Sequence, residues 1–200
     1  MQYRVIAWIL AATAVAGQDV TVMVRDYAGV EKRILRRAEM EADRVLGTAG
    51  VQVNWVHCPS PVCDRPPLPT EFVVDVLPAG VTRRGTETRA LGYAVPPESG
   101  PYGSYAGVLY NRVERLSSCR AGAGIILGHV FAHELGHLLL GVGSHAPAGI
   151  MKAEWCESEL ARASQGGLVF GPIERLRIQE NLHRRSLAHR AGTTVAFRSN

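Results

Sequence analysis

Two histidines four residues apart, with a glutamate beside the first, are the residues of this 200-residue chain best placed for chemistry: His133-Glu134-Leu135-Gly136-His137. On a helix, positions four apart lie on one face, one turn above each other, so both imidazoles can reach a single ion. Neutral imidazole nitrogen is a favoured zinc ligand. Glu134 projects roughly 100° around the helix from His133, which sets its carboxylate beside the metal and not on it. There it can take the proton of a zinc-bound water as that water attacks a carbonyl, and later pass the proton to the leaving amine. The surroundings (Ile125, Ile126, Leu127, Val130, Phe131, Leu135, Leu138, Leu139 and Leu140) are apolar. Ionisable groups in such a helix need partners, and a metal supplies them.

A catalytic zinc needs a third protein ligand and an open fourth position. Gly141 and Gly143 let the chain leave the helix and turn back, which makes His145 the first candidate. Glu157, twenty residues after His137, is the alternative for a site whose third ligand lies on the next helix. His129 lies about 12 Å along the helix axis from His137, too far to share one ion, and reads as a buried, hydrogen-bonded histidine. His57, His183 and His189 read as surface or loop residues.

The run HELGHLLLGVGSHAPAGIM resembles the metal motif of the metzincins, the zinc endopeptidases that include matrixins and serralysins. Their pattern is His-Glu-x-x-His-x-x-Gly-x-x-His, followed by a turn that puts a methionine beneath the metal. His133, Glu134 and His137 match its first positions, Gly141 the glycine, His145 the third ligand and Met151 the methionine turn. Here the glycine comes one residue late and the third histidine two residues late, as in a divergent branch. The tyrosine that some members carry two residues after the methionine is replaced by Ala153. The resemblance implies an α+β fold: a twisted, mixed five-stranded sheet, an active-site helix and a small C-terminal helical subdomain. It also implies that Leu91, Gly92, Tyr93 and Ala94, in an edge strand stopped by Pro96-Pro97, bind an extended peptide substrate through their backbone.

The elements that must position these residues follow from periodicity. Asp19 to Tyr27, Val51 to Val56, Phe72 to Leu77, Leu91 to Val95 and Gly107 to Tyr110 read as strands; Glu31 to Leu46, Gly124 to Leu140 and about Pro172 to Arg185 read as helices. Residues 58 to 69 are proline-rich and loop-like. No repeat or linker divides the chain, so residues 17–200 are expected to form one domain, with about 186–200 a loose basic tail.

Before that domain, Arg4 and the uncharged apolar run from Val5 to Val15 precede Ala14-Val15-Ala16, the small-x-small pattern that signal peptidase reads. Residues 1–16 are therefore expected to be a signal peptide, and the mature protein to be secreted or periplasmic. The run is shorter than the roughly 20 residues of a permanent span. Export suits the even set Cys58, Cys63, Cys119 and Cys156, which an oxidising compartment would join. Three pairings are open; Cys58–Cys63 with Cys119–Cys156 is preferred, the second bracketing the histidine motif.

The composition, 46% hydrophobic and 20% charged, is that of a globular protein. Although the pI is near 9.1, the formal charge is only +4, and no basic stripe interleaved with aromatics points to nucleic acid. Arg175, Arg177, Arg184, Arg185 and Arg190 read as the solvated face of the last helix. Asp64 lacks the dense acidic loop that structural calcium (Ca2+) would want, which leaves one zinc ion as the expected cofactor. The expected function is that of a monomeric zinc endopeptidase acting on a protein or peptide. Two alternatives use the same residues: a non-catalytic zinc-containing module that holds peptides along the edge strand, and a zinc amidase acting on cell-wall peptides.

Overall fold

The computed structural model describes residues 18–80, 89–97, 103–117, 122–141 and 143–197. The expected signal peptide and Cys119 lie outside them. Strand β1 (Gln18–Asp26) leads to helix α1 (Lys32–Gly47) and strand β2 (Val51–His57). A single 3-10 turn (Pro61–Asp64) precedes β3 (Glu71–Leu77), β4 (Gly92–Ala94) and β5 (Tyr105–Leu109). Four helices complete the chain: α2 (Tyr110–Ser117), α3 (Ala123–Leu140), α4 (Glu157–Ser164) and α5 (Pro172–Phe197).

The five strands form one sheet in the order β2-β1-β3-β5-β4. All neighbours run parallel except β4, which pairs antiparallel with β5 and forms an edge. The sheet is thus mixed, as expected, with its odd strand at the edge nearest the histidines. The parallel strands are nearly continuous apolar runs: Val22, Val24, Phe72, Val74, Val76 and Val108 are buried to within 1% of full burial. That is the pattern of strands covered on both faces.

Helix α3 crosses this core with 83% of its length buried. It is apolar on every side because it has no solvent face to speak of. Its close approach to α1 depends on small residues four apart, Gly124, Gly128 and Ala132. A Cβ at Gly128 would stand 2.5 Å from the Ala38 carbonyl oxygen, and one at Gly124 would stand 2.7 Å from the Arg37 Cβ. Here glycine serves close packing, at a cost in helix propensity that the buried contact offsets.

Several expectations need correction. Tyr110 opens α2 and does not end a strand, and neither α2 nor α4 was foreseen. Helix α5 continues to Phe197, so the expected tail from 186 is helical that far; nothing between Ser186 and Ala191 stops a helix. Arg185 is not on a solvated face but fully buried. Its guanidinium donates to the carbonyls of Pro69 (2.8 Å), Gly103 (3.0 Å) and Leu138 (2.6 Å) and lies 4.9 Å from the centre of the Phe72 ring. A planar five-donor cation suits a place where three loop and helix ends need donors at once. Cys58 and Cys63 are joined by a disulfide. Cys156 has no disulfide partner among the described residues; Cys119, its preferred partner, lies outside them. The Cys156 sulfur lies at the start of α4, donating to Glu159 at 2.7 Å.

Candidate metal centre

His133 and His137 stand on consecutive turns of α3, and their Nε2 atoms are 3.1 Å apart. His145 joins them from beyond the helix: the three rings offer nitrogens that all lie within 4.8 Å of one another. Among the described residues this is the one such group, and Glu157 is not part of it. The return of His145 depends on two glycines. Gly141 has φ +96° and caps α3, its N–H donating to the His137 carbonyl, and Gly143 has φ +73°. Both lie in the left-handed region that favours glycine. Because α3 runs on to Leu140, three residues past His137, the turn begins late and the chain needs extra residues to come back. That accounts physically for the longer spacing before His145.

The hydrogen bonds behind the rings set what the rings present. The Nδ1–H of His133 donates to the Ile150 carbonyl at 2.7 Å, which leaves a lone pair on Nε2. His137 Nδ1 lies 2.9 Å from the Ser144 hydroxyl, which can accept from it as well as donate to it. With Ser144 accepting from His137 Nδ1–H, both Nε2 atoms bring lone pairs to a 3.1 Å contact, and a cation between them relieves their repulsion. Tetrahedral coordination at zinc–nitrogen distances of about 2.0–2.1 Å puts ligand nitrogens about 3.3–3.4 Å apart, close to this spacing. Burial pushes the His133 pKa down to about 4, partly offset by the Ile150 carbonyl, and that of His137 down to about 3. Both rings are thus neutral at pH 7, the form that binds metal. The donor set and its spacing fit a zinc ion.

Glu134 is 4% exposed, and its Oε2 has no hydrogen-bond partner among the described residues. Burial raises its pKa to about 8. A buried, unsatisfied carboxyl is costly unless something in the site engages it. A cation beside it would restore the ionised form. The carboxyl rests against the edge strand: a Cβ added at Gly92 would lie 2.6 Å from Glu134 Oε1. Gly92, expected to bind substrate, therefore also makes room for Glu134. Leu91, Gly92, Tyr93 and Ala94 line the same cleft, of about 900 Å3, as His133, Glu134, His137 and His145.

The edge backbone has a defined orientation. Leu109 N–H bonds Leu91 O and Val95 N–H bonds Tyr105 O, both at 2.8 Å. In an antiparallel ladder the intervening even positions point the other way, so Gly92 and Ala94 turn their N–H and C=O groups towards the open edge. Met151 is fully buried, with its sulfur 2.6 Å from where a Cβ on Gly136 would stand. It packs against α3 between the two histidine positions, and its carbonyl accepts from Ala146 N–H at 2.8 Å to close the turn after His145. Two supporting residues escaped the sequence reading. Ser144 backs His137, and the Trp155 indole donates to the Ile150 carbonyl at 3.2 Å while meeting the His133 ring edge-on at 5.5 Å. Ser144 carries no signal beyond its place next to His145; Trp155 carries none. His129 is buried as expected, with Nδ1 bonded to the Ile125 carbonyl and Nε2 3.5 Å from Glu41.

An α+β fold with a mixed five-stranded sheet, and with three histidines at its antiparallel edge, defines the class against which the chain can be compared. It shares the fold of the archaemetzincin from Methanopyrus kandleri, known from a crystal structure. The match covers 84% of this chain and 97% of that one, with a TM-score of 0.52 and 18% sequence identity. No protein-family model and no curated protein matches the sequence. The comparison lends the matrixin and serralysin branches no particular support.

Proposed function

We propose that the protein is a zinc-dependent endopeptidase, exported by the N-terminal signal peptide that residues 1–16 resemble. His133, His137 and His145 would hold the ion. The observation that carries this reading is the convergence of three imidazoles beside a buried carboxyl, its Oε2 without a partner among the described residues, on an open sheet edge. The shared fold supports it, since archaemetzincin bears the name of the group whose motif this chain resembles.

A zinc ion at this site would supply Lewis-acid activation of water and of the scissile carbonyl. The protein's own groups do the rest. The backbone of Gly92 and Ala94 pairs with an extended peptide and holds it in the cleft. Glu134 accepts a proton from the attacking water on its buried carboxylate and delivers it to the departing amine nitrogen. Gly92 and the apolar packing of α3 fix that carboxylate in place. Ile150, Ser144 and Trp155 hold the imidazoles in the orientation that a metal requires.

The test is cleavage of casein and of labelled peptides by purified protein with one equivalent of zinc. Expected are cleavage that a chelator abolishes and zinc restores, and loss of about 10²–10⁴-fold in Glu134→Gln with zinc still bound. Stoichiometric zinc without cleavage of any peptide would favour a binding module. Cleavage confined to cell-wall peptides would favour an amidase.

A further inference from the structure

At the Val95 end of β4 the cleft is bounded by two pieces of backbone from different parts of the chain. Leu138 stands on the last turn of α3 and Gly103 just before β5, and both line the cleft with Val95. No room is left for a side chain between them: a Cβ at Gly103 would lie 2.7 Å from the Val95 carbonyl oxygen and 3.2 Å from Leu138 Cδ2. Behind this wall one nitrogen of the buried Arg185, Nη2, donates to both backbones at once, to the Leu138 carbonyl at 2.6 Å and the Gly103 carbonyl at 3.0 Å. The guanidinium is itself anchored, by its Nη1 on the Pro69 carbonyl at 2.8 Å and by the Phe72 ring, whose centre lies 4.9 Å away. One turn earlier on α5, Asn181 donates to the Leu139 carbonyl at 2.9 Å. The last carbonyls of a helix have no partner within it. Here α5 takes two successive ones, and the cation among the donors suits the negative end of the α3 dipole.

We propose that Arg185 is a positioning residue for the substrate. It fixes the width of the cleft at the Val95 end, between the metal helix and the Gly103 wall, and so governs how the part of a peptide lying beyond Ala94 is bound. This rests on the reading of the site as a peptide-binding cleft. Gly92 marks the reacting centre, because Glu134 touches it. Val95 is three residues further along the edge, about 10 Å away at the rise of a strand. The reacting groups are held by other contacts: His133 by Ile150, His137 by Ser144, and Glu134 against Gly92. Loosening the clamp therefore reaches the outer residues of a peptide and spares the chemistry. The role asks for one group that can hold two carbonyls from different elements at a set distance, which the rigid fork of a guanidinium does.

The test uses a labelled peptide bound by the zinc-loaded Glu134→Gln protein, and forms of it lengthened by a few residues at the N-terminus or at the C-terminus. Binding is read by fluorescence anisotropy in that background with and without Arg185→Met, and kcat and KM are measured in otherwise wild-type protein. Retained zinc and a Tm well above the assay temperature check folding. Arg185→Met is expected to abolish the affinity gained from one extension only, raising Kd and KM for that peptide about tenfold while kcat hardly changes. Arg185→Lys, which keeps a cation with three donors, is expected to restore part of the gain. Gly103→Ala pushes on the same wall with Arg185 in place; it is expected to weaken the same peptide alone, and it carries the test should Arg185→Met fail to fold. Losses of equal size for both extensions, a loss in kcat in place of KM, unchanged binding in these variants, or no binding of any peptide would overturn the proposal. A loss confined to one extension, without turnover by the wild type, would refute the peptidase reading and leave this one standing. Turnover without such a loss would do the reverse.

Discussion

Replacing Gly92 by alanine adds one carbon in the most sensitive place of the cleft. The new Cβ would lie 2.6 Å from Glu134 Oε1, 2.9 Å from its Cδ and 2.8 Å from the Gly107 carbonyl oxygen. Ordinary contact begins at 3.4 Å, so the carboxylate must retreat by about 0.8 Å. The strand cannot give way freely, because the Gly107 backbone stands on its other side. A misplacement of about 1 Å in a catalytic group can cost about 10²-fold in rate. Gly92→Ala should therefore lower kcat by about that factor while zinc content stays at one equivalent, since the atoms nearest the added carbon belong to Glu134 and Gly107 and not to a histidine. The decisive assay is a double-mutant cycle with Glu134→Gln. If Gly92 acts through Glu134, adding Gly92→Ala to the glutamine variant should cost far less than it does in the wild type. Activity of Gly92→Ala within twofold of wild type, or an equal loss in both backgrounds, would refute the reasoning.

Three further outcomes follow from the geometry. His145→Ala should abolish tight zinc binding while Glu157→Ala retains it, as measured by metal content after dialysis. Arg185→Met should destabilise the fold by about 3 kcal/mol, or roughly 10 °C in Tm, by leaving one buried and two part-buried carbonyls without their donor. In metal-stripped protein the raised Glu134 pKa gives a signed pH effect. Between its unfolded value of about 4.5 and its folded value of about 8, the unfolded state has released a proton that the folded state keeps, so stability falls as pH rises. Glu134→Gln should remove that arm and gain in Tm over the wild type from pH 5 to about 8, while the fall below about pH 6.5, where His133 and His137 resist protonation, remains in both.

How much was legible in the sequence depended on how local the signal was. His133, Glu134 and His137 occupy one helical face whatever the rest of the chain does, so spacing alone placed them. The five strands along the chain followed from short-range alternation, and the edge at Leu91 to Val95 from Pro96-Pro97 and the family resemblance. The recruitment of His145 was readable because glycines at 141 and 143 announce a chain reversal. Arg185 was misread for the opposite reason. Its burial depends on carbonyls 47 to 116 residues away, and nothing in the local pattern sets it apart from Arg184. The contact of the Cys156 sulfur with Glu159 likewise depends on where α4 begins. The contact of Gly92 with Glu134 joins a strand and a helix that periodicity treats separately. The place of Arg112 and Arg115 in the cleft wall was hidden because α2, which carries them, had not been foreseen.

The most direct test of the central claim is the coordination shell of zinc in the loaded protein, read by X-ray absorption. The structure predicts one ion per chain, bound by three imidazole nitrogens at about 2.0–2.1 Å with one lighter oxygen ligand. A sulfur shell at about 2.3 Å, which would bring Cys156 into the site, or only two imidazoles, would contradict it.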